Sequence, residues 1–187
     1  MITVGILTIS DKGSRGERRD DSGPAIREVL AGINGQVVSY EIVPDEADMI
    51  AGRLAAWADS GRVDLVLTTG GTGLGPRDVT PEATLSVVNR VVPGLAETMR
   101  ARTFDASPFS ILSRAVAGAR GMCLIVNLPG SPKAVREWIT KKGKITEDEF
   151  VETIPYEETR NYVIRVLSSA RVYRMLYGFS SPTQGKN

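Results

Sequence analysis

Hydrophobic and polar positions along the 187-residue chain fall into short apolar runs separated by amphipathic segments. Three runs rich in β-branched residues, at 2–10, 63–69 and 122–128, are typical of strands buried on both faces. The segment at 36–43 has the pattern of a further strand. Because these short strands alternate with helical segments, the pattern predicts βαβ units and an α/β fold with a mainly parallel sheet.

Helical periodicity is clearest between residues 46 and 61, where four apolar side chains share one face and Gly61 marks the expected end of the helix. These side chains are Met49, Ile50, Leu54 and Trp57. The segment 92–121 predicts further helices, interrupted near Pro108.

Helix starts are indicated where a capping residue precedes a proline. A helix is expected to open at Ser22–Pro24, and another at Thr80, with Thr80 as the N-cap and Pro81 as the first helical residue. Ser131 followed by proline repeats the signal near the end of the last apolar run.

Polar segments follow each of the four predicted strands. They are Ser10 with Asp11, Pro44 to Glu46, the glycine loop at 70–77, and "NLPGSPK" at 127–133. In open parallel sheets, ligands bind beyond the carboxyl ends of the strands. We therefore expect all four segments at one edge of the sheet, around a ligand.

The glycine loop, "GGTGLGP", is neither a Walker loop nor a dinucleotide fingerprint. One interpretation is a strand-to-helix turn that uses glycine for positive φ. The other is an anion site, in which free amides and the start of the following helix face a phosphate. The segment at 127–133 likewise allows two interpretations: helix capping with a solvated Lys133, or a second anion site.

Composition narrows the chemistry. The chain contains no histidine, which excludes histidine metal sites and Ser-His-Asp triads. Its single cysteine, Cys123, lies in an apolar run, so we expect a buried, inert thiol and a reducing compartment, the cytoplasm. With 23 basic and 22 acidic residues, no nucleic-acid partner is expected. We also expect no signal peptide and no membrane segment.

Two carboxylates border the polar segments. Alone, Asp45 and Asp78 could each cap a helix or complement its dipole. Together, at one edge of a sheet and beside a phosphate-shaped loop, they would repel each other unless a cation lay between them. Oxygen ligands without histidine favour Mg²⁺.

Five separated motifs resemble the MogA-type molybdopterin adenylyltransferases of molybdenum cofactor biosynthesis. They are "GILTISDKGSRGERRDDSGPAI", "VPDE", "TTGGTGLGPRDVTPEAT", "SRAVAGARG" and "NLPGSPKAV". The resemblance implies a three-layer α/β/α sandwich at 1–140 and a homotrimer in the cytoplasm. It also implies a reaction in which Mg-ATP supplies AMP to the phosphate of molybdopterin and pyrophosphate is released. A molybdenum insertase is a further candidate partner.

The resemblance also implies roles for individual residues. Asp45 and Asp78 take the catalytic and Mg²⁺-binding positions. The ligand-binding positions are Ser10, Asp11, Gly70, Gly71, Thr72, Gly73, Gly75, Ser113, Arg114, Asn127, Pro129, Gly130, Ser131 and Lys133. Alternative functions are a non-catalytic subunit that binds molybdopterin or a nucleotide, and an interaction scaffold. A molybdenum insertase domain fits less well, because its additional domains are missing.

The C-terminal tail, 141–187, departs from this family. Residues 146–178 resemble the C-terminal end of soluble lytic transglycosylases, through "ETIPYEETRNYVIRVL" and "VYRMLYG". No transglycosylase catalytic domain precedes this segment, so no such activity is inferred. An apolar stripe predicts a helix at about 158–177, packed on the domain or on a neighbouring subunit.

Overall fold

The computed structural model describes residues 2–31, 35–104 and 107–131. The strands are β1 (Ile2–Ile9), β2 (Gly35–Val43), β3 (Leu65–Thr69), β4 (Arg90–Val91), β5 (Ala117–Arg120) and β6 (Cys123–Leu128). The helices are α1 (Asp11–Ser14), α2 (Ser22–Ala31), α3 (Ala47–Asp59), α4 (Thr80–Val87) and α5 (Pro93–Thr103), with a 3-10 helix at Pro108–Leu112. Lys133, the domain boundary predicted near 140 and the helix predicted at 158–177 lie outside the described residues.

The strands form one sheet in the order β2-β1-β3-β6-β5-β4. The first four are mutually parallel. β5 turns back antiparallel to β6, and β4 pairs antiparallel with β5. The prediction of a mainly parallel sheet is therefore confirmed, with an antiparallel extension at one side.

Helices cover both faces of the sheet, which confirms the three-layer sandwich. Ile26 of α2 and Met99 of α5 belong to a buried cluster on one face. Leu54 of α3 and Val87 of α4 belong to a second cluster on the other face. β1 contributes to both clusters because successive side chains of a strand point to opposite faces. Within the described ranges, no helix is long and apolar enough to cross a membrane.

Three sequence predictions about these elements are wrong. Thr80 is the first residue of α4 and not its N-cap; Val79 holds that position, and the Thr80 hydroxyl instead donates to the carbonyl of Gly70 at 2.9 Å. Met49 is 53% exposed, so it does not belong to the buried stripe of α3. Part of the segment predicted as helix, 117–120, is strand β5.

The sheet brings the predicted ligand-binding segments to one edge. The four parallel strands β1, β2, β3 and β6 all end there, and each is followed by one of the four polar segments. The first two segments are joined by a hydrogen bond from the amide of Ser10 to the carbonyl of Val43, at 2.9 Å. Parallel pairing thus assembles a cleft from residues far apart in sequence.

Candidate active site

The glycine loop begins with a turn that only glycine can form. Gly70 has φ +104° and Gly71 has φ +62°. A Cβ at Gly70 would lie 2.3 Å from the carbonyl oxygen of Ile9, and one at Gly71 would lie 2.4 Å from Oγ1 of Thr80. The positive φ expected of a strand-to-helix turn is therefore present at these two positions.

The middle of the loop wraps around the carboxylate of Asp78. The amide of Gly75 donates to Oδ2 of Asp78 at 2.8 Å, and the amide of Asp78 donates back to the carbonyl of Gly75 at 3.0 Å. A Cβ at Gly73 would lie 2.8 Å from the same Oδ2. A side chain at Gly73 or Gly75 would therefore have to displace the half-buried carboxylate of Asp78.

Asp45 is held by the loop that follows β1. The amide of Asp11 donates to Oδ2 of Asp45 at 2.8 Å, and the amide of Asp45 donates to Oδ1 of Asp11 at 3.1 Å. Oδ1 of Asp45 lies 3.3 Å from where a Cβ of Gly71 would stand, so it faces the glycine loop. Within the described chain, neither α3 nor α4 has a side-chain hydrogen bond at its N-cap, so neither Asp45 nor Asp78 acts as a helix cap.

The negative charge of Asp78 acts on the carboxylate of Asp45. Burial raises the pKa of Asp45, and the negative charges of Asp11 and Asp78 raise it further. The hydrogen bond from Asp11 and the positive charge of Arg77 oppose this rise. Asp45 and Asp78 therefore lie at one site and carry an excess of negative charge there.

Arg77, which sequence reasoning missed, partly neutralises the cluster. Its guanidinium donates to both oxygens of Asp11, at 2.9 to 3.2 Å, and to Oε1 of Glu46 at 2.9 Å. The hydrogen bonds from Arg77 to Asp11 lower the pKa of Asp11. The available signal was an arginine placed directly before Asp78 in a loop expected to meet other acidic loops.

The donor set fits a cation that arrives with a phosphate. Among the described residues, no group of three or more Cys, Asp or Glu side chains is placed to hold a metal alone. Oδ1 of Asp45 and Oδ1 of Asp78 accept no hydrogen bond within the described part of the chain. Mg²⁺ is commonly bound through one or two carboxylates plus substrate phosphates, so these two oxygens suit it.

A cavity of about 200 Å³ lies beside the glycine loop. Its wall includes Ser10, Arg18, Arg19, Asp20, Gly70 and Gly130. Ser10 also caps α1, because its hydroxyl accepts the amide of Gly13 at 3.0 Å. The cavity therefore combines two exposed arginines with main chain from three of the four segments.

Asp20 shapes the wall of this cavity and was also missed by sequence reasoning. Its Oδ2 accepts the hydroxyls of Thr8, at 2.8 Å, and Tyr40, at 2.6 Å. Its Oδ1 accepts the amides of Ser22 and Gly23. Burial acts to raise the pKa of Asp20, but the hydrogen bonds from Tyr40, Thr8 and these amides outweigh it, so the pKa is lowered. The signal was an acid just before a helix start.

The loop after β6 packs directly on the glycine loop. A Cβ at Gly130 would lie 3.1 Å from Cα of Gly70. The hydroxyl of Thr69 donates to the carbonyl of Pro129 at 2.8 Å, and that of Ser22 to the carbonyl of Gly130 at 3.0 Å. The carbonyls of Pro129 and Gly130 are thereby held by β3 and α2, and Gly130 lines the cavity.

Comparison with known proteins identifies the group to which the chain is related. Residues 5–143 match the family described as "Probable molybdopterin binding domain". The chain belongs to this family. The resemblance to molybdopterin adenylyltransferases is therefore confirmed at the level of the family.

Relatives of this chain include proteins named molybdopterin adenylyltransferase. The molybdopterin adenylyltransferase of Helicobacter pylori strain J99 is 48% identical over 138 residues, 73% of this chain and 78% of the relative. That of Escherichia coli K12 is 38% identical over 161 residues, 83% of each chain. The crystal structure of the molybdopterin biosynthesis enzyme MoaB from Thermus thermophilus is 50% identical with a TM-score of 0.74, covering 90% of this chain and 98% of that one.

Asn127, which the resemblance to the family placed at the ligand, lies in the interior. It is fully buried, its amide donates to the hydroxyls of Thr68 at 3.0 Å and Thr84 at 2.9 Å, and its Oδ1 accepts the amide of Val116 at 3.2 Å. The polar atoms of this side chain are thus engaged within the fold, and its assignment to the ligand stays a prediction. Its polar atoms tie β6 to β3, α4 and the segment before β5.

Of the other expected ligand-binding residues, Thr72 and Arg114 are hydrogen-bonded to each other at the glycine loop. Thr72 is buried, and its carbonyl accepts the amide of Arg114 at 2.9 Å. The side chain of Arg114 donates to the carbonyl of Gly73 in the glycine loop and to that of Asp78 directly after it. The carbonyl of Ser113 accepts a hydrogen bond from Arg100 at 3.2 Å. Ser131 is exposed at the end of the described chain.

Proposed function

We propose that this chain is a molybdopterin adenylyltransferase, which transfers AMP from Mg-ATP to the phosphate of molybdopterin and releases pyrophosphate. The observation that carries the proposal is the pair Asp45 and Asp78 beside one glycine loop, each with one oxygen that accepts no hydrogen bond from the described residues. Membership of the family supports molybdopterin as the substrate. The names of its relatives imply a nucleotide as the second substrate.

The reaction joins two anions, so the site must align them and neutralise charge. A phosphate oxygen of the pterin attacks the α-phosphorus of ATP, a new P–O bond forms, and the bond to pyrophosphate breaks. Within the described residues, the amides of Thr72, Gly73 and Leu74 donate no hydrogen bond, and they are available to phosphate oxygens. Arg77, Arg18 and Arg19 add positive charge around the cleft.

Asp45 and Asp78 would hold the Mg²⁺ that accompanies the nucleotide. When bound, the ion supplies Lewis-acid neutralisation of the phosphate charge. The two aspartates would orient it, because the hydrogen bonds from the amides of Asp11 and Gly75 fix one oxygen of each carboxylate and leave the other oxygen without a hydrogen bond from the described residues. No histidine is needed for this chemistry.

The decisive experiment follows pyrophosphate release from Mg-ATP in the presence of molybdopterin. Asp78→Asn should reduce release to a small residual rate while molybdopterin binding largely survives. The matched control is Asp59→Asn, which alters a carboxylate that pairs with Arg120 at the C-terminal end of α3. Equal loss of binding and turnover in Asp78→Asn would contradict the assigned role. Wild-type protein that binds molybdopterin without releasing pyrophosphate would favour the non-catalytic subunit instead.

The identities of the nucleotide and the metal are part of the proposal. Release should be fastest with ATP when ATP, GTP and CTP are compared, and it should cease when EDTA removes the divalent cation. Activity with all three nucleotides alike, or in the presence of EDTA, would contradict these assignments. The cytoplasm as location and a molybdenum insertase as partner remain predictions from the resemblance.

The proposal includes assembly as a homotrimer, and exposed apolar side chains just after α5 and in the 3-10 helix support self-association. Phe104, Phe109, Ile111 and Leu112 are all exposed, with Phe109 78% exposed. Such a concentration of large apolar side chains is typical of an interface. Light scattering should give three times the mass of the chain, and Phe109→Asp should lower it. A monomeric wild-type protein would contradict the trimer.

A further inference from the structure

Arg114 contacts both ends of the glycine loop. Its amide donates to the carbonyl of Thr72 at 2.9 Å, and its Nε donates to the carbonyl of Gly73 at 2.7 Å. Its two Nη groups donate to the carbonyl of Asp78 and to the carboxylate of Glu82 in the first turn of α4. One residue therefore bridges the start of the loop, its end and the helix that follows.

The position of Arg114 is itself fixed from behind. The guanidinium of Arg100, on α5, donates to the carbonyls of Ser113 at 3.2 Å and Ala115 at 3.0 Å, on either side of Arg114. The Arg114 side chain is only 34% exposed. Its donors are thus directed at the loop by a segment that α5 holds in place.

Only a guanidinium can make this set of contacts. Arginine presents several N–H donors in a rigid planar fork, whereas lysine has a single ammonium on a flexible stem. The guanidinium donates to three acceptors, the carbonyls of Gly73 and Asp78 and the carboxylate of Glu82, so one ammonium would not reach all of them in the same way.

We propose that Arg114 is a positioning residue that acts through Asp78 and does not contact the ligands. It fixes the main chain at Asp78, while Gly75 fixes the carboxylate, and together they set the direction of Oδ1. The inference rests on the proposed function for its kinetic consequence. The claim about loop geometry is independent of that function.

The kinetic test compares Arg114→Ala with Arg120→Ala. Arg120 is a matched control because its guanidinium also donates to a carbonyl, that of Val87, and to a carboxylate, that of Asp59, but at the other end of α4. Arg114→Ala should lower kcat about 100-fold, as expected for a misplaced catalytic group, with both KM values nearly unchanged. Added guanidinium ion should restore part of kcat, and Arg114→Lys should restore little.

A double variant tests whether the effect runs through Asp78. In an Asp78→Asn background, Arg114→Ala should lower residual turnover by no more than about threefold, because contacting residues that act as a unit are non-additive. Full additivity would overturn the inference. So would a raised KM with unchanged kcat, which indicates ligand contact, or an equal loss of kcat in Arg120→Ala.

Amide hydrogen exchange provides a readout that does not depend on turnover. Exchange at the amides of Gly75 and Asp78, which are hydrogen-bonded within the loop, should rise in Arg114→Ala and stay unchanged in Arg120→Ala, provided both remain folded. Unchanged exchange in the loop of Arg114→Ala would overturn the positioning role even if the enzyme is an adenylyltransferase. Altered exchange in that variant, with a wild-type protein that releases no pyrophosphate, would support the positioning role while refuting the proposed function.

Discussion

Replacing Gly73 by alanine should displace the proposed catalytic carboxylate without unfolding the protein. The added Cβ would lie 2.8 Å from Oδ2 and 3.4 Å from Cγ of Asp78. To reach ordinary van der Waals contact, Oδ2 would have to move roughly 0.6 Å or more. That movement stretches its 2.8 Å hydrogen bond from the amide of Gly75.

The expected effects on stability and on rate differ in size. The φ of Gly73 is not in the positive range that only glycine tolerates, so alanine causes no backbone strain there. Weakening one hydrogen bond costs about 1 kcal/mol of folding free energy. A misplacement of this order at a reacting group lowers kcat about 100-fold, equivalent to ~2.7 kcal/mol of activation free energy.

The assay measures kcat for pyrophosphate release and the thermal midpoint of the same samples. Gly52→Ala serves as control, because Gly52 lies within α3 with no atom within 4 Å of its added Cβ, so alanine should stabilise the helix by about 1 kcal/mol and leave kcat unchanged. A folded Gly73→Ala variant with wild-type kcat would refute the reasoning that the position of Asp78 limits the reaction.

Three further predictions concern residues around the site and in the core. Because the pKa of Asp20 is lowered on folding, its carboxylate contributes stability above about pH 4, and this stability is lost as the pH falls through the folded pKa. Asp20→Asn should therefore lower the free energy of unfolding in urea at pH 7, and lower it by less at pH 3. The same loss of stability at both pH values would contradict this. Asn127→Leu should cost at least about 2 kcal/mol in urea unfolding, because the hydroxyl of Thr68 and the amide of Val116 lose their partner and the hydroxyl of Thr84 keeps only its bond to the carbonyl of Thr80; unaltered stability would argue against the structural role of Asn127. Burial raises the pKa of Cys123 to about 12. A thiol reagent at about pH 8 should therefore label the folded chain slowly and the denatured chain fully. Rapid labelling of the folded protein would show that the thiol is accessible.

The strands that sequence reasoning found are those with a strong local signal. β1, β3 and β6 are rich in Val, Ile, Leu and Thr, whose burial on both faces follows from their uninterrupted apolar pattern. β5 was missed because Ala117, Gly118 and Ala119 have no β-branched or aromatic side chain. Its extended form comes from pairing with β6 and β4, and a Cβ at Gly118 would lie 2.8 Å from the carbonyl of Arg90.

The rule that ligand sites lie beyond the carboxyl ends of parallel strands placed the loops of Asp45, Asp78 and Gly130 correctly at one edge. The rule gives no direction for an individual side chain. Asn127 lies one residue from the end of β6, and strand alternation directs it into the interior between two threonines. Asp20 and Arg77 act through contacts across long sequence separations, which local patterns do not reveal.

The close approach of Gly130 to Gly70 has a consequence for anyone who wishes to redesign the enzyme. With 3.1 Å between a Cβ at Gly130 and the Cα of Gly70, a side chain at Gly130 would push the two loops apart, whereas one at Gly70 would meet the carbonyl oxygen of Ile9 at 2.3 Å. Variation belongs instead at Leu74, whose side chain is 68% exposed at the tip of the loop. A mutant library restricted in this way would explore substrate preference while keeping the two loops locked together.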